Sequence, residues 1–173
     1  MKPTEFKEML DRDPAFMGKM ALDLATLIAR QAEAVYEARA MAFPVIVSST
    51  LLYLVEAGPV SLTEIAQGLD HSHQLVKQRV DILLKLGLIR SRRDPHDGRR
   101  TLFSLTAEGA TQAERLKAYR AEAARVFTAL SEEIGVDLAD ILPRAREALE
   151  RRPMAVRFPA YQSGAKNAER KEA

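Results

Sequence analysis

The sequence predicts a mainly α-helical protein with a small β-wing, in which a winged helix-turn-helix is flanked by N- and C-terminal helices. Three observations support this fold class. Apolar residues recur at helical spacing in long segments at both ends of the chain. Near the middle of the chain, a helix-capping sequence begins the first of two short helices, and a tight turn joins the first helix to the second. Directly after them, two strand-like runs flank a stretch of turn residues, as in a β-hairpin.

The composition sets the limits of what this protein does. With 173 residues, 47% of them hydrophobic, the chain suits one domain with a real core. It has no cysteine, which excludes disulfides, thiolate-bound metals and thiol chemistry. The longest uncharged run, residues 40–55, is shorter than the roughly 20 apolar residues of a membrane-spanning helix. Since residues 1–13 also lack an apolar signal segment, we expect a soluble, cytoplasmic protein without a membrane partner.

Two helices are predicted in the first third of the chain. From Phe16 to about Ala40, apolar residues are spaced by three, four and seven, which places them on one face of a long helix. A second helix covers residues 45–55 and stops at Gly58-Pro59. This second helix is apolar nearly all round, so we expect it at the centre of the fold.

The helix-turn-helix begins with the clearest local signal in the sequence. Residues 61–64, Ser-Leu-Thr-Glu, form a capping box, in which the serine and glutamate side chains each bind the other residue's backbone N–H. Gly68 is predicted to end this short helix. After a turn of a few residues, Ser72 is the expected N-cap of a second helix that runs to Leu86 and stops at Gly87.

A hairpin and two further helices complete the prediction. Residues 88–93 and 100–105 are strand-like and flank the turn residues 94–99. Thr106 then caps a long helix. A last helix is predicted over residues 138–151, where Pro143 should kink or restart it.

Positive charge is concentrated in the second helix of the predicted helix-turn-helix and in the wing. Residues 71–106 contain eight Lys and Arg against three Asp, a net charge of +5, whereas the rest of the chain carries −3. The whole-chain value of +2 conceals this separation. A basic stretch is often only a solvated face, but here it coincides with elements that bind nucleic acid, which favours a phosphate-binding surface.

Several segments resemble the MarR family of bacterial winged helix-turn-helix transcriptional regulators. They are Ser-Leu-Thr-Glu-Ile-Ala at 61–66, Leu-Gly-Leu-Ile-Arg at 86–90, Asp-Pro-His-Asp-Gly-Arg-Arg at 94–100, and Leu-Thr-Ala-Glu-Gly at 105–109. The resemblance extends over about residues 16–151, and the wing segment is its most specific part.

The resemblance implies a homodimeric regulator, expected to be a repressor, that binds a pseudo-palindromic operator on double-stranded DNA and responds to a small-molecule effector. It implies no cofactor and no enzymatic activity, in agreement with the lack of catalytic motifs in the sequence. The domain is expected over residues 1–152, with the DNA-binding part at 44–106 and dimerisation helices at 14–43 and 107–152. Residues 153–173 are expected to form a poorly ordered tail. Apolar residues alternate at 154–158, so it remains open whether this segment lies as an extended strip on another surface.

The site prediction combines helix geometry with the family resemblance. In the recognition helix, polar residues lie opposite a core-facing side of Val76, Val80, Leu83 and Leu84. A glutamine side chain can form two hydrogen bonds with adenine in the major groove. A histidine at the start of the helix can reach a phosphate or the edge of a guanine. The resemblance implies that Arg99 enters the minor groove, oriented by Asp97. The predicted DNA-binding residues are Thr63, Ser72, His73, Gln74, Lys77, Gln78, Arg92, Arg93, His96, Asp97, Arg99 and Arg100.

Three positions of the recognition helix depart from the family pattern. Leu75 and Ile82 stand where small or polar residues are usual, and Arg79 stands where an apolar residue is usual. The two apolar residues, with Leu86, either widen the buried face or meet the dimerisation helices. The alternative function is a winged-helix protein-interaction module, in which Leu75 and Ile82 form an exposed docking stripe.

Overall fold

The computed structural model describes residues 2–158, which divide into two compact units at residue 120. None of the helices in this range is long and apolar enough to cross a membrane. Short 3-10 turns cover residues 14–16 and 45–47. The helices are α1 (Pro3–Leu10), α2 (Met17–Ala38), α3 (Ser48–Ala57), α4 (Leu62–Leu69), α5 (His73–Lys85), α6 (Ala107–Ile134), α7 (Leu138–Arg151) and α8 (Met154–Arg157).

The core of the first unit is built around α3, as its uniformly apolar sequence predicted. Leu51 and Leu54 are almost fully buried. On α2, the ring of Tyr36 packs edge-on against Phe43 and Tyr119, with ring centroids 5.5 and 5.0 Å apart. The aromatic contacts join α2 to the start of the winged helix and to α6.

Helix α1 was not predicted, because its sequence lacks a long apolar stripe. Its local signals are Pro3 at the first helical position and Glu5, whose carboxylate accepts the Lys2 backbone N–H at 2.9 Å. Lys19 then joins the end of α1 to α2, since its Nζ lies 2.9 Å from the Asp11 carboxylate.

The wing is a three-stranded antiparallel sheet in the order β1-β3-β2, where β1 is Val60–Ser61, β2 is Ile89–Arg93 and β3 is Thr101–Leu105. The predicted hairpin is confirmed, with Ile89 opposite Leu105. Strand β1, which pairs Val60 with Phe103, was not predicted. Two residues are too few to show the alternation by which a strand is recognised in a sequence.

The prediction that Gly68 ends α4 was wrong. The helix continues to Leu69, and Asp70 takes the left-handed conformation that ends it, with φ of 51°. Gly68 is needed for a different reason: a Cβ at this position would lie 2.2 Å from the ring of Tyr53. The glycine therefore permits α4 to approach α3 closely.

The structure narrows two alternatives that the sequence left open in the C-terminal part. Helix α7 passes through Pro143 without restarting. Its N-cap is Asp137, whose carboxylate accepts the backbone N–H groups of Ala139 and Asp140. Residues 154–157 form the short helix α8 and not an extended strip. The remainder of the predicted tail, residues 159–173, lies outside the described residues.

Candidate nucleic-acid interface

The first turn of α4 has the predicted capping box. The Ser61 hydroxyl accepts the Glu64 backbone N–H at 3.4 Å, and the Glu64 carboxylate accepts the Ser61 N–H at 2.8 Å. Thr63 lies between them and is exposed. Its side chain is therefore presented to solvent at a helix N-terminus, where a phosphate is favoured.

The tight turn between α4 and α5 is held by backbone and capping bonds. The His71 N–H donates to the Ala66 carbonyl at 2.9 Å, which closes the end of α4 around Asp70. The Ser72 hydroxyl accepts the Leu75 N–H at 3.3 Å, which confirms Ser72 as the N-cap of α5. Ser72 is also exposed, so its predicted DNA contact and its capping bond involve the same hydroxyl.

Helix α5 has the predicted two-sided character. Val76, Val80 and Leu83 are buried in the core. The Lys77 ammonium lies 2.6 Å from the Asp81 carboxylate, and both side chains are more than half exposed. An exposed pair of this kind stabilises the protein by only about 0–1 kcal/mol, so Lys77 can exchange Asp81 for another anion at little cost. The polar residues His73, Gln74, Lys77 and Gln78 are all exposed.

The apolar residues that depart from the family pattern do not form an exposed stripe. Ile82 is half-buried and packs against the core, and Leu75 is half-buried as well. Leu86 is exposed, at 42%. The burial of Ile82 favours the first of the two interpretations, a widened core-facing side of α5.

Arg79, the third departure, points into the helix-turn-helix. Its Nη1 lies 3.0 Å from Nδ1 of His71 and 3.3 Å from the hydroxyl of Ser49 on α3. Its Nε is buried and has no hydrogen-bond partner among the described residues. Arg79 thus connects α3, the turn and α5 by polar contacts where an apolar side chain is usual. Burial lowers the pKa of Arg79.

The contact with Arg79 requires a neutral His71. A guanidinium only donates, so Nδ1 of His71 must be the unprotonated acceptor. Burial lowers the pKa of His71 below its ordinary 6.5, and the positive charge of Arg79 lowers it further, against an opposing effect of Asp70. Between the lowered pKa and 6.5, the unfolded chain binds more protons than the folded one.

We therefore predict that the protein loses stability as the pH falls below about 6.5. The variant His71→Asn keeps an acceptor near the Nδ1 position but has no group there that titrates. It should therefore lose less stability than the wild type when the pH is lowered. Thermal melts from about pH 8 to about pH 5 measure the difference. His73→Gln, two residues away and exposed, is the matched control and should follow the wild-type profile. Identical profiles for wild type and His71→Asn would refute the prediction.

The wing turn is organised by two aspartates. The Asp94 carboxylate accepts the His96 N–H at 2.9 Å, and the Asp97 carboxylate accepts the Arg99 N–H at 3.0 Å. The Asp97–Arg99 contact in the free protein is therefore made through the backbone. Arg92, Arg93, His96, Asp97 and Arg99 are all exposed.

Arg100 differs from the other wing arginines. Its Nη2 lies 2.8 Å from the Glu64 carboxylate at the start of α4, and its Nε lies 3.8 Å from Asp94. Sequence reasoning predicted a phosphate contact for Arg100 and a capping role alone for Glu64. The ion pair joins residues 36 apart in sequence, so no local signal indicates it.

All twelve predicted DNA-binding residues are exposed, and all belong to the unit that ends at residue 120. They lie on the first turn of α4, on α5 and on the wing, and the last two of these elements carry the excess of positive charge. A helix-turn-helix followed by a basic wing defines the winged-helix class of DNA-binding proteins.

Comparisons with known proteins agree with this class. Residues 43–100 match the model of the MarR family. The fold is similar to a probable transcriptional regulator from Pseudomonas aeruginosa, with 27% identity, a TM-score of 0.59, and coverage of 79% of this chain and 98% of that one. No curated protein matches the chain significantly.

Two further crystal structures share the fold. The adhesin competence repressor from Streptococcus pyogenes has 19% identity and a TM-score of 0.55, and the match covers 78% of this chain and 96% of that one. A protein described as a MarR family transcription regulator has 17% identity and a TM-score of 0.56, covering 86% and 97%. The chain thus has the fold of MarR-family transcriptional regulators, and its winged-helix segment matches the model of that family.

Proposed function

We propose that the chain binds a pseudo-palindromic operator on double-stranded DNA as a homodimer, and that it represses transcription under the control of a small-molecule effector. The main support for operator binding is that one unit presents exposed Gln74, Lys77 and Gln78 on α5 together with exposed Arg99 on the wing. The glutamines can form hydrogen bonds with base edges in the major groove, and the arginine can enter the adjacent minor groove. Repression, the effector and action in the cytoplasm follow from the family resemblance.

Exposed apolar side chains support the homodimer. Monomeric proteins rarely expose large contiguous apolar patches, since such surfaces associate. Both of the regions predicted as dimerisation helices carry many exposed apolar residues. In the first unit they include Phe16, Met17, Leu22, Leu24, Leu27 and Val35, and in the second Val126, Phe127, Ile134, Ile141, Leu142 and Leu149.

A salt series with charge-removing variants tests the DNA contacts. The probe is a fluorescent duplex that the wild-type chain has selected from random-sequence DNA, and binding is followed by anisotropy. The affinity of the wild type should fall steeply with salt, because each phosphate contact releases counterions. Lys77→Ala and Arg99→Ala should each weaken binding about tenfold, and Lys77→Ala should reduce the salt slope by about one.

The matched control is Lys117→Ala, which removes a lysine that is also paired on a helix surface, with Glu114 at 2.9 Å, but outside the winged helix. It should bind like the wild type. A titration at stoichiometric concentration should give two chains per duplex, and one chain per duplex would contradict the homodimer. If the affinity does not change with salt, or if neither substitution changes it, DNA binding is contradicted and the protein-interaction module is favoured.

A further inference from the structure

We propose that Arg100 is a positioning residue that holds the wing at a fixed distance from helix α4, and that it does not itself contact DNA phosphate. The proposal rests on the proposed DNA-binding function, which it refines. It is drawn from the contacts of Arg100 with Glu64, Ser61 and Asp94, which join the base of the wing to the capping box.

The Glu64 carboxylate is the centre of this contact. One of its oxygens, Oε2, accepts the Ser61 N–H at 2.8 Å, the Ser61 hydroxyl at 2.7 Å and Nη2 of Arg100 at 2.8 Å. The two bonds from Ser61, followed by the bond from Arg100, lower the pKa of Glu64 to about 2. The carboxylate therefore stays charged at neutral pH, and the guanidinium of Arg100 faces a persistent partner within its own chain.

The position of this ion pair relates it to the DNA-binding residues. A groove of about 570 Å³ separates the first turn of α4 from the wing, and Thr63, Arg99 and the ion pair all line it. Each member of the pair is the direct chain neighbour of a predicted DNA contact, since Glu64 follows Thr63 and Arg100 follows Arg99. Fixing Glu64 and Arg100 at 2.8 Å thus limits how far Thr63 and Arg99 can separate.

The energetics make such a role testable. The side chains of Glu64 and Arg100 are both 43% exposed. An ion pair with this exposure adds little to global stability, so its removal should leave the protein folded. The wing, however, is also joined to α4 by β1, in which Ser61 pairs with Leu102. The ion pair therefore restrains the distance between elements that the sheet already connects.

The experiment compares Arg100→Ala, Glu64→Gln and the double variant by anisotropy on the selected duplex. Glutamine keeps an acceptor for the Ser61 N–H, so Glu64→Gln removes the charge but preserves the capping box. We expect each single variant to bind roughly fivefold more weakly, and the double variant to bind no more weakly than either, because directly contacting partners are not additive. The salt slope should stay at the wild-type value in all three.

A direct phosphate contact would produce the opposite pattern. Arg100→Ala would then reduce the salt slope by about one, as expected for Lys77→Ala, while Glu64→Gln would bind as well as the wild type or better because it frees the guanidinium. Either result would overturn the proposal. If the wild type itself binds DNA without salt dependence, the proposed function fails first, and that outcome is visible before any variant is compared.

A second measurement does not depend on DNA. Amide hydrogen exchange in the free protein should be faster for the wing residues 94–101 in both Arg100→Ala and Glu64→Gln, because the wing has lost its ion pair with α4. Lys77→Ala, which removes a different exposed ion pair, should leave the exchange of these amides unchanged. Unchanged exchange in Arg100→Ala and Glu64→Gln would contradict a positioning role.

Discussion

Replacing Gly109 by alanine should destabilise the protein by about 3 kcal/mol or more, the upper range of overpacking effects. Gly109 is buried in the first turn of α6. A Cβ at this position would lie 1.8 Å from the carbonyl oxygen of Leu88 and 2.8 Å from its carbonyl carbon. Because the obstacle is backbone, no side-chain rotation relieves the clash.

The surrounding hydrogen bonds increase the expected effect. The Leu88 carbonyl accepts the Thr106 N–H at 3.0 Å and the Thr106 hydroxyl at 3.1 Å. The same hydroxyl accepts the Gly109 N–H at 3.0 Å. Any shift that makes room for a methyl group at position 109 therefore disturbs the bonds that join the N-terminus of α6 to the residue before β2. A whole domain is stable by only about 5–15 kcal/mol, so the loss is a large part of the total.

Chemical denaturation of Gly109→Ala and Gly18→Ala at equal protein concentration measures this effect. Gly18 lies in the first turn of α2, and its added Cβ would meet nothing within 4 Å. Alanine is the better helix former, so Gly18→Ala should be neutral or more stable by up to about 1 kcal/mol. If the two variants unfold at the same denaturant concentration, the predicted clash at position 109 does not exist.

Leu51→Ala should lower the free energy of unfolding by about 2–5 kcal/mol, because it removes a fully buried side chain from the centre of the core. The matched control is Leu52→Ala on the same helix, where the side chain is half-buried at the edge of the core. The same chemical change should cost less there, since solvent already reaches part of the leucine. Denaturant midpoints measure both losses, and an equal or larger loss at Leu52 would show that α3 is placed differently in the core.

Local signals in the sequence were enough to predict most of the winged helix. The capping box at Ser61 and Glu64, the N-cap at Ser72 and the turn residues between the two long strands each act within a few residues of chain. For this reason, they predicted α4, α5 and the β-hairpin. The same holds for the two sides of α5, because helical spacing alone determines that Val76 and Lys77 face different directions.

Predictions failed where a residue's partner lies far along the chain. Glycine is a residue type that often ends a helix, but Gly68 is needed because a side chain there would collide with the ring of Tyr53. Strand β1 exists because Val60 and Ser61 pair with β3, about 40 residues later. Arg79 was recognised as unusual, yet its bonds to His71 and Ser49 depend on how α3 packs against the turn.

The sequence by itself determined the fold class, the concentration of positive charge on one segment, and the wing motif that resembles the MarR family. These properties follow from residue types and short-range spacing, which are independent of how the helices pack. Only the tertiary structure decided how the charged groups are used. Arg99 and Arg100 are adjacent and chemically identical, but Arg99 is exposed on the wing whereas Arg100 is paired with Glu64. The physical reason is that an ion pair depends on distance in space, and Glu64 and Arg100, which are 36 positions apart in sequence, are brought together only by folding.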